Sequence, residues 1–146
     1  MSAPSANFLQ RVQRRRGVRQ FVKFGIVGAS GFLVNLVIFT LLQKAIGPSA
    51  TNASVYYAIY SIAFLAGGVS NYFLNRSWTF RSTGHAGREA AQFLSVSVLA
   101  LLVGLVVSTI VAPFLGHGHR TWFCATLSGI VVNFFVNKYW TFRAVA

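Results

Sequence analysis

The sequence predicts an all-α membrane protein, with four transmembrane helices built as two parallel helical-hairpin repeats. The first observation is composition: 55% of residues are hydrophobic and 10% are charged, whereas about a quarter are charged in a typical soluble domain. The second is a set of apolar runs near the ~20 residues that a helix needs to cross a bilayer. The third is repetition, which exposes an underlying repeated architecture. The phrase GGVSNYFLNRSWTFR at residues 67–81 returns as GIVVNFFVNKYWTFR at residues 129–143.

The first repeat contains spans one and two. Residues 24–43 are uncharged and lie between Lys23 and Lys44, which predicts span one. The Gly-Pro-Ser sequence that follows at residues 47–49 breaks the next apolar run. Span two is therefore predicted at about residues 54–75.

The second repeat contains spans three and four. A hydrophilic link at residues 81–92 precedes span three at residues 93–115, with Pro113 near its end. After a short GHGHR turn, span four is predicted at about residues 121–137. These lengths leave no room for a separate soluble domain.

The predicted domain organisation follows from these spans. Residues 1–20 form a basic cytosolic N-terminal segment, and residues 21–143 form the four-helix membrane domain. Repeat one covers about residues 21–81 and repeat two about residues 93–143.

Lysine and arginine are concentrated on one side of the predicted spans, and such an excess marks the cytosolic side. The richer side holds Arg11, Arg14, Arg15, Arg16, Arg19, Lys23, Arg76, Arg81, Arg88, Lys138 and Arg143. The other side holds Lys44 and Arg120. We therefore expect a multi-pass protein of the cytoplasmic (inner) membrane with both termini cytosolic. Two hairpins of equal orientation then make a parallel repeat.

The net charge of +12 would suggest nucleic acid as the partner of a soluble protein. Here the basic residues flank apolar runs, so anionic lipid headgroups are the expected partner and nucleic acid is not. The single cysteine, Cys124, excludes an internal disulfide.

Each copy of the phrase places a glycine and two asparagines on one helix face, at spacing i, i+4 and i+8. The two trios are Gly67, Asn71 and Asn75, and Gly129, Asn133 and Asn137. Their carboxamides can hydrogen-bond sugar hydroxyls or phosphate oxygens, while Arg76 and Lys138 supply positive charge. The alternative is that the asparagines bond neighbouring helices, which small residues allow to approach. Because the pair is duplicated and each copy is followed by a cation, we favour the functional interpretation.

Four further residues are candidates for substrate binding. Trp78 and Trp140 are typical of interfacial anchors, with stacking on a sugar ring as the alternative. Lys23, at the inner edge of span one, either snorkels to the interface or contacts a phosphate. Asn35 lies mid-span and is expected to face the bundle interior, because it is costly in lipid.

Two series of small residues predict close helix packing. They are Gly25, Gly28 and Gly31 in span one, and Ala100, Gly104 and Ser108 in span three. The glycine series lacks the G-x-G-x-x-G spacing of a dinucleotide site. The small-residue seams also suggest a homodimer.

Several function classes lack their residues. The one acid, Glu89, lies in a predicted loop, so no span offers a carboxylate for proton or sodium coupling. The sequence contains no nucleotide-binding loop, acid pair or metal-ligand cluster. We therefore expect no enzyme, no metal and no cofactor.

The motifs resemble those of the GtrA-like membrane proteins over roughly residues 20–143. They are Lys23-Phe24-x-x-Val27-Gly28 at the start of span one, and Asn71-x-x-x-Asn75-Arg76-x-Trp78-x-Phe80 with its second copy. The resemblance implies a four-helix inner-membrane component of cell-surface polysaccharide synthesis, often paired with a polyprenyl-phosphate glycosyltransferase. It implies movement of polyprenyl-phosphate-linked sugars from the cytoplasmic to the outer leaflet.

Three functions are compared on this basis. The first is flipping of a polyprenyl-phosphate sugar, with Arg76, Lys138 and Lys23 holding the phosphate and the four asparagines lining the polar route. The second is a membrane anchor or assembly partner for the glycosyltransferase that transports nothing. The third, a small multidrug exporter, is disfavoured because such exporters need an intramembrane glutamate.

Overall fold

The computed structural model describes residues 6–141 and is all-helical over that range. Its α-helices are α1 (Ala6–Ile46), α2 (Ala53–Leu74), α3 (Ala86–Leu115) and α4 (His119–Val136). A short 3-10 helix, Gly47–Thr51, joins α1 to α2, as expected from the Gly-Pro break. The all-α prediction is confirmed.

Three helical stretches within the described range are long and apolar enough to cross a membrane. They are Gln10–Thr51, Ala53–Thr79 and Ala86–Leu115, and they contain predicted spans one, two and three. Predicted span four corresponds to α4, which has 18 residues.

Helix α1 has 41 residues, a length of about 62 Å at ~1.5 Å per residue. This is roughly twice the ~30 Å thickness of the hydrocarbon core. The helix runs through residue 20, where the sequence suggested a boundary between the basic segment and the membrane domain. Its extension is understandable because no proline interrupts residues 6–46 and Gly17 costs a helix only about 1 kcal/mol.

Hydrogen bonds at one end of the bundle show that α1 is antiparallel to α4 and α2 is antiparallel to α3. Thr40, late in α1, shares a hydrogen bond of 3.1 Å with His119 at the start of α4. Tyr57, early in α2, shares one of 3.3 Å with Thr109, late in α3.

Both repeated phrases contact α1 at the opposite end of the bundle, which we call the motif end. Lys23 in α1 donates a hydrogen bond of 3.2 Å to the carbonyl oxygen of Trp78, just after α2. The rings of Phe24 in α1 and Phe134 in α4 are 4.8 Å apart. Both copies of the phrase therefore lie at one end of the molecule.

An aromatic core fills the bundle away from the motif end. Phe39, Tyr56, Tyr60 and Trp122 are each at most 3% exposed. Asn35 is buried beside them, and its Oδ1 accepts a hydrogen bond of 3.0 Å from Trp122 Nε1. The mid-span asparagine faces the interior, as predicted, and its oxygen is satisfied there.

Small residues allow the helices to pack closely inside a single chain. A Cβ added to Gly67 in α2 would lie 2.6 Å from the carbonyl oxygen of Gly31 in α1. A Cβ on Gly104 in α3 would collide with the Tyr60 hydroxyl and lie 3.1 Å from the Ala125 carbonyl oxygen. These glycines are therefore required by contacts within the monomer.

Candidate functional site

Both copies of the phrase continue their helix as one turn of π-helix. The turns span Asn75–Thr79 after α2 and Asn137–Thr141 after α4. In the first turn, the Phe80 N–H donates a hydrogen bond of 2.9 Å to the carbonyl oxygen of Asn75, five residues earlier. Such wide turns are frequent at functional sites, and they give the two copies matching backbone geometry at the motif end.

In the second copy the asparagines are bonded to each other. Asn137 Nδ2 donates to Asn133 Oδ1, and the Thr141 hydroxyl donates 2.6 Å to Asn137 Oδ1. These bonds lie within one helical segment, whereas the alternative to ligand binding expected the asparagines to bond neighbouring helices.

In the first copy the equivalent oxygens are buried without a partner. Asn71 Oδ1, Asn75 Oδ1 and Thr79 Oγ1 make no hydrogen bond to any part of the chain that the structure describes. Gly31 provides the space for Asn71, because a Cβ there would collide with the Asn71 carboxamide. An unsatisfied buried oxygen costs about 1–3 kcal/mol, so this copy is the one suited to receive hydroxyl groups from a ligand.

Arg76 is bound within the chain. One guanidinium nitrogen donates a hydrogen bond to the Glu89 carboxylate, and the other donates a hydrogen bond of 3.0 Å to the carbonyl oxygen of Gly84. Glu89 also accepts a hydrogen bond from the Ser82 hydroxyl. The charge predicted to hold a phosphate is thus opposed by the one acid of the sequence. This ion pair could not be predicted from the sequence, since it depends on how the link between α2 and α3 folds back.

Lys23 and Trp78, both predicted site residues, lie together. Besides its bond to the Trp78 carbonyl oxygen, Lys23 Nζ lies 4.9 Å from the centre of the indole ring. This is within the range of a cation–π interaction. The start of span one is thereby attached to the end of the first phrase.

A basic cavity of about 330 Å³ opens between α1 and the end of the first phrase. Its lining residues are Arg16, Arg19, Gln20, Lys23, Thr79, Phe80 and Arg81. From the sequence, Arg16, Arg19 and Arg81 were predicted to set the membrane orientation and to contact anionic lipid headgroups, and they were not candidates for substrate binding. Arg16, Arg19 and Lys23 are spaced i, i+3 and i+7 in the sequence, a spacing that predicts one shared face of α1.

An apolar groove of about 540 Å³ runs between α1 and α4. It is lined by Phe24, Gly25, Gly28, Ala29, Phe32, Leu127, Ile130, Val131, Phe134 and Phe135. A Cβ on Gly25 or Gly28 would meet no atom within 4 Å. These two glycines, predicted to pack against a helix, instead lie open in the groove.

The remaining predicted residues are apart from these openings or only partly described. Asn35 is 12 positions beyond Lys23, about 18 Å along α1. Trp140 is partly exposed in the second π turn, as suits an interfacial anchor. The side chain of Lys138, and Phe142 and Arg143, lie outside what the structure describes.

Comparison with known proteins identifies the family. The chain is similar to the uncharacterized membrane protein YngA of Bacillus subtilis (strain 168), with 26% identity over 132 residues that cover 90% of this chain and 84% of that protein. No solved structure matches the chain. The family model described as GtrA/DPMS, transmembrane domain, matches residues 23–142. That match begins at Lys23 and includes the first phrase and all but the last residue of the second, so the chain belongs to the GtrA/DPMS transmembrane-domain family, as its motifs predicted.

Proposed function

We propose that this protein translocates a polyprenyl-phosphate-linked sugar across the cytoplasmic membrane, for cell-surface polysaccharide synthesis or modification. Membership of the GtrA/DPMS family supports a role connected with polyprenyl-phosphate sugars. The proposed role is transport without catalysis, and use of the sugar on the far side of the membrane would drive net movement.

One observation carries the proposal: in the first phrase, buried oxygens without a hydrogen-bond partner among the described residues lie at the same end of the bundle as a cluster of cations. Asn71 Oδ1 and Asn75 Oδ1 are buried acceptors without a partner in the described chain, and Lys23 and Arg81 line the basic cavity at the end of the same phrase. Sugar hydroxyls can donate to the carboxamide oxygens, while the cations attract the phosphate. In this proposal Asn133 and Asn137 belong to the same route and exchange their mutual hydrogen bond for bonds to the headgroup.

The proposal includes a membrane arrangement in which all four helices span the bilayer as two parallel hairpins. The antiparallel order of neighbouring helices supports it, as do the matching π turns at Asn75–Thr79 and Asn137–Thr141. The Lys/Arg asymmetry supports a cytosolic motif end, where a sugar lipid made from cytosolic precursors would enter.

Reconstitution tests the proposal directly. Purified protein in liposomes should speed the exchange of labelled polyprenyl-phosphate sugar between leaflets, scored by its accessibility to an impermeant reagent. Asn71→Ala removes one headgroup acceptor and should slow exchange by about tenfold. Lys44→Ala, a charge removal at the opposite end, is the control and should exchange like wild type. Wild type that exchanges no faster than empty liposomes would overturn the proposal.

A specific observation favours the second candidate, an anchor for a glycosyltransferase. Roughly half of α1 extends beyond the length needed for one span, and it exposes Phe8, Val18 and Val22 beside its arginines. An exposed helix of this kind offers a partner a surface at the cytosolic side. Co-purification of a polyprenyl-phosphate glycosyltransferase with a wild type that does not accelerate exchange would favour this function.

A further inference from the structure

The basic cavity and the apolar groove adjoin each other at Phe24. Its ring centre is 6.0 Å from that of Phe80, which lines the cavity, and 4.8 Å from that of Phe134, which lines the groove. One aromatic side chain therefore forms the boundary between a cationic opening and an apolar channel on the surface of the bundle.

The cavity is lined by cations without a carboxylate among its described residues. Lys23 experiences electrostatic repulsion from both Arg19 and Arg81, and Arg16 lies one helical turn further along the same wall. Glu89, the one acid of the sequence, forms an ion pair with Arg76. A bound anion would relieve this repulsion.

A buried hydroxyl without a hydrogen-bond partner in the part of the chain that the structure describes belongs to a residue of the cavity wall. Thr79 lines the cavity and is 4% exposed, and its Oγ1 has no hydrogen-bond partner within residues 6–141. A hydroxyl can donate to a phosphate oxygen. Charge and hydrogen bonding therefore select the same kind of group, an anionic oxygen.

Arg81 reaches the cavity from a strained backbone. Its φ of +47° lies in the left-handed region, where residues other than glycine are uncommon. Such strain persists at sites where the surrounding structure and function require it. Glycine would fit this backbone more easily, so the arginine adds positive charge to the cavity at a conformational cost.

The groove has the character of a binding surface for a single hydrocarbon chain. Glycine inside a helix costs about 1 kcal/mol relative to alanine, yet Gly25 and Gly28 have no neighbour that requires them. Their effect is to lower the floor of the groove between the aromatic walls formed by Phe32 and Phe134.

We propose that the cavity and the groove form one binding site for an isoprenoid lipid phosphate. Lys23, Arg81 and the Thr79 hydroxyl hold the phosphate, and the first isoprene units lie over Gly25 and Gly28. A single chain with its phosphate at one end fits one cavity that opens into one groove, whereas a phospholipid carries two diverging chains. The wider depression of about 890 Å³ between α2 and α3 is less suited, because Glu89 opposes Arg76 there. The inference rests on the proposed function and places its phosphate site.

Binding to the purified full chain tests this site independently of transport. Native mass spectrometry should detect undecaprenyl phosphate bound to wild type in preference to undecaprenol and to phosphatidylglycerol. Arg81→Gly removes the charge while relieving the backbone strain, so it should fold and bind the phosphate about tenfold more weakly or worse. Arg81→Lys should retain most binding.

Gly28→Leu tests the groove. The added side chain enters open space in the groove and should reduce binding of the lipid phosphate by a comparable factor. Gly17→Leu, the same change at another open α1 position outside the groove, is the matched control. Arg88→Ala removes one exposed charge from the same end of the molecule and should leave binding unchanged.

The outcomes separate the site from the function. Wild type that accelerates leaflet exchange, with Arg81→Gly and Gly28→Leu binding normally, would overturn the site and leave transport intact. Binding with the expected dependence but without leaflet exchange would support the site and overturn the transport role. Equal binding of phosphatidylglycerol would replace the site with a general contact for anionic lipid.

Discussion

Arg76 joins two helices through its contacts with Glu89 and the carbonyl oxygen of Gly84. The side chains of the ion pair are only 22% and 13% exposed, so removing one partner leaves the other poorly solvated. We predict that Arg76→Gln lowers the free energy of unfolding by about 1–3 kcal/mol, measured by thermal unfolding in mild detergent.

The double variant Arg76→Gln with Glu89→Gln is the control for this prediction. Because the two side chains contact each other, the double variant should lose less stability than the sum of the single variants. Strict additivity, or an Arg76→Gln variant as stable as wild type, would show that the pair has no structural role. Arg76 would then be available for a ligand.

At this scale the sequence predicted some environments and missed others. The burial of Asn35 followed from its position in an apolar run, because a carboxamide is costly in lipid. The partner of Arg76 did not, because it depends on the conformation of a loop. The difference between Asn71 and Asn133 could not be predicted either. The two occupy the same position of the repeated phrase, but Asn71 lies against Gly31 of α1, whereas Asn133 bonds Asn137 in its own helical segment.

Among the elements, α1 differs most from its predicted bounds. Apolar length located its membrane-spanning part, but the helix begins at Ala6, directly after Pro4 and Ser5, residue types that mark a helix start. The π turns could not be predicted from the sequence either, because hydrogen bonds between residues i and i+5 depend on packing at the motif end. The limits of the apolar cores of the helices were predictable, and the continuation of helix beyond them was not.

Gly17→Pro tests the continuity of α1. Proline removes a backbone donor and clashes with the preceding turn, a cost of about 3 kcal/mol in a helix interior. Amides at residues 6–16 should then exchange with solvent much faster in hydrogen–deuterium exchange, while those at residues 30–46 stay protected. Gly17→Ala should slow exchange in the same N-terminal stretch, because alanine favours the helix by about 1 kcal/mol. A wild type whose residues 6–16 already exchange as an unstructured chain would contradict a continuous α1.

In the whole molecule, the repeated phrase places two equivalent sets of asparagines at the same end of the bundle. Antiparallel neighbours bring both phrases to one end of the bundle, as the contacts of Lys23 with Trp78 and of Phe24 with Phe134 show. The homodimer suggested by the small residues stays a prediction. Gly104 is buried against Tyr60 and Ala125 within the monomer, so Gly104→Leu would disturb the fold and would not report on association alone.

The orientation of the bundle is the prediction on which the site and the function both depend. Reporter fusions at Ala146 and in the link at residues 83–87 should report the cytosol, because Lys and Arg are concentrated on that side of the predicted spans. A third fusion in the turn at residues 116–118, at the end opposite the motif, should report the far side of the membrane. Removing Arg14, Arg15 and Arg16 together should weaken the bias, whereas removing Lys44 should not. A fusion at residues 83–87 that reports the far side would place Arg81 and the basic cavity away from cytosolic substrate, and entry of a cytosolic sugar lipid at the motif end would then be wrong.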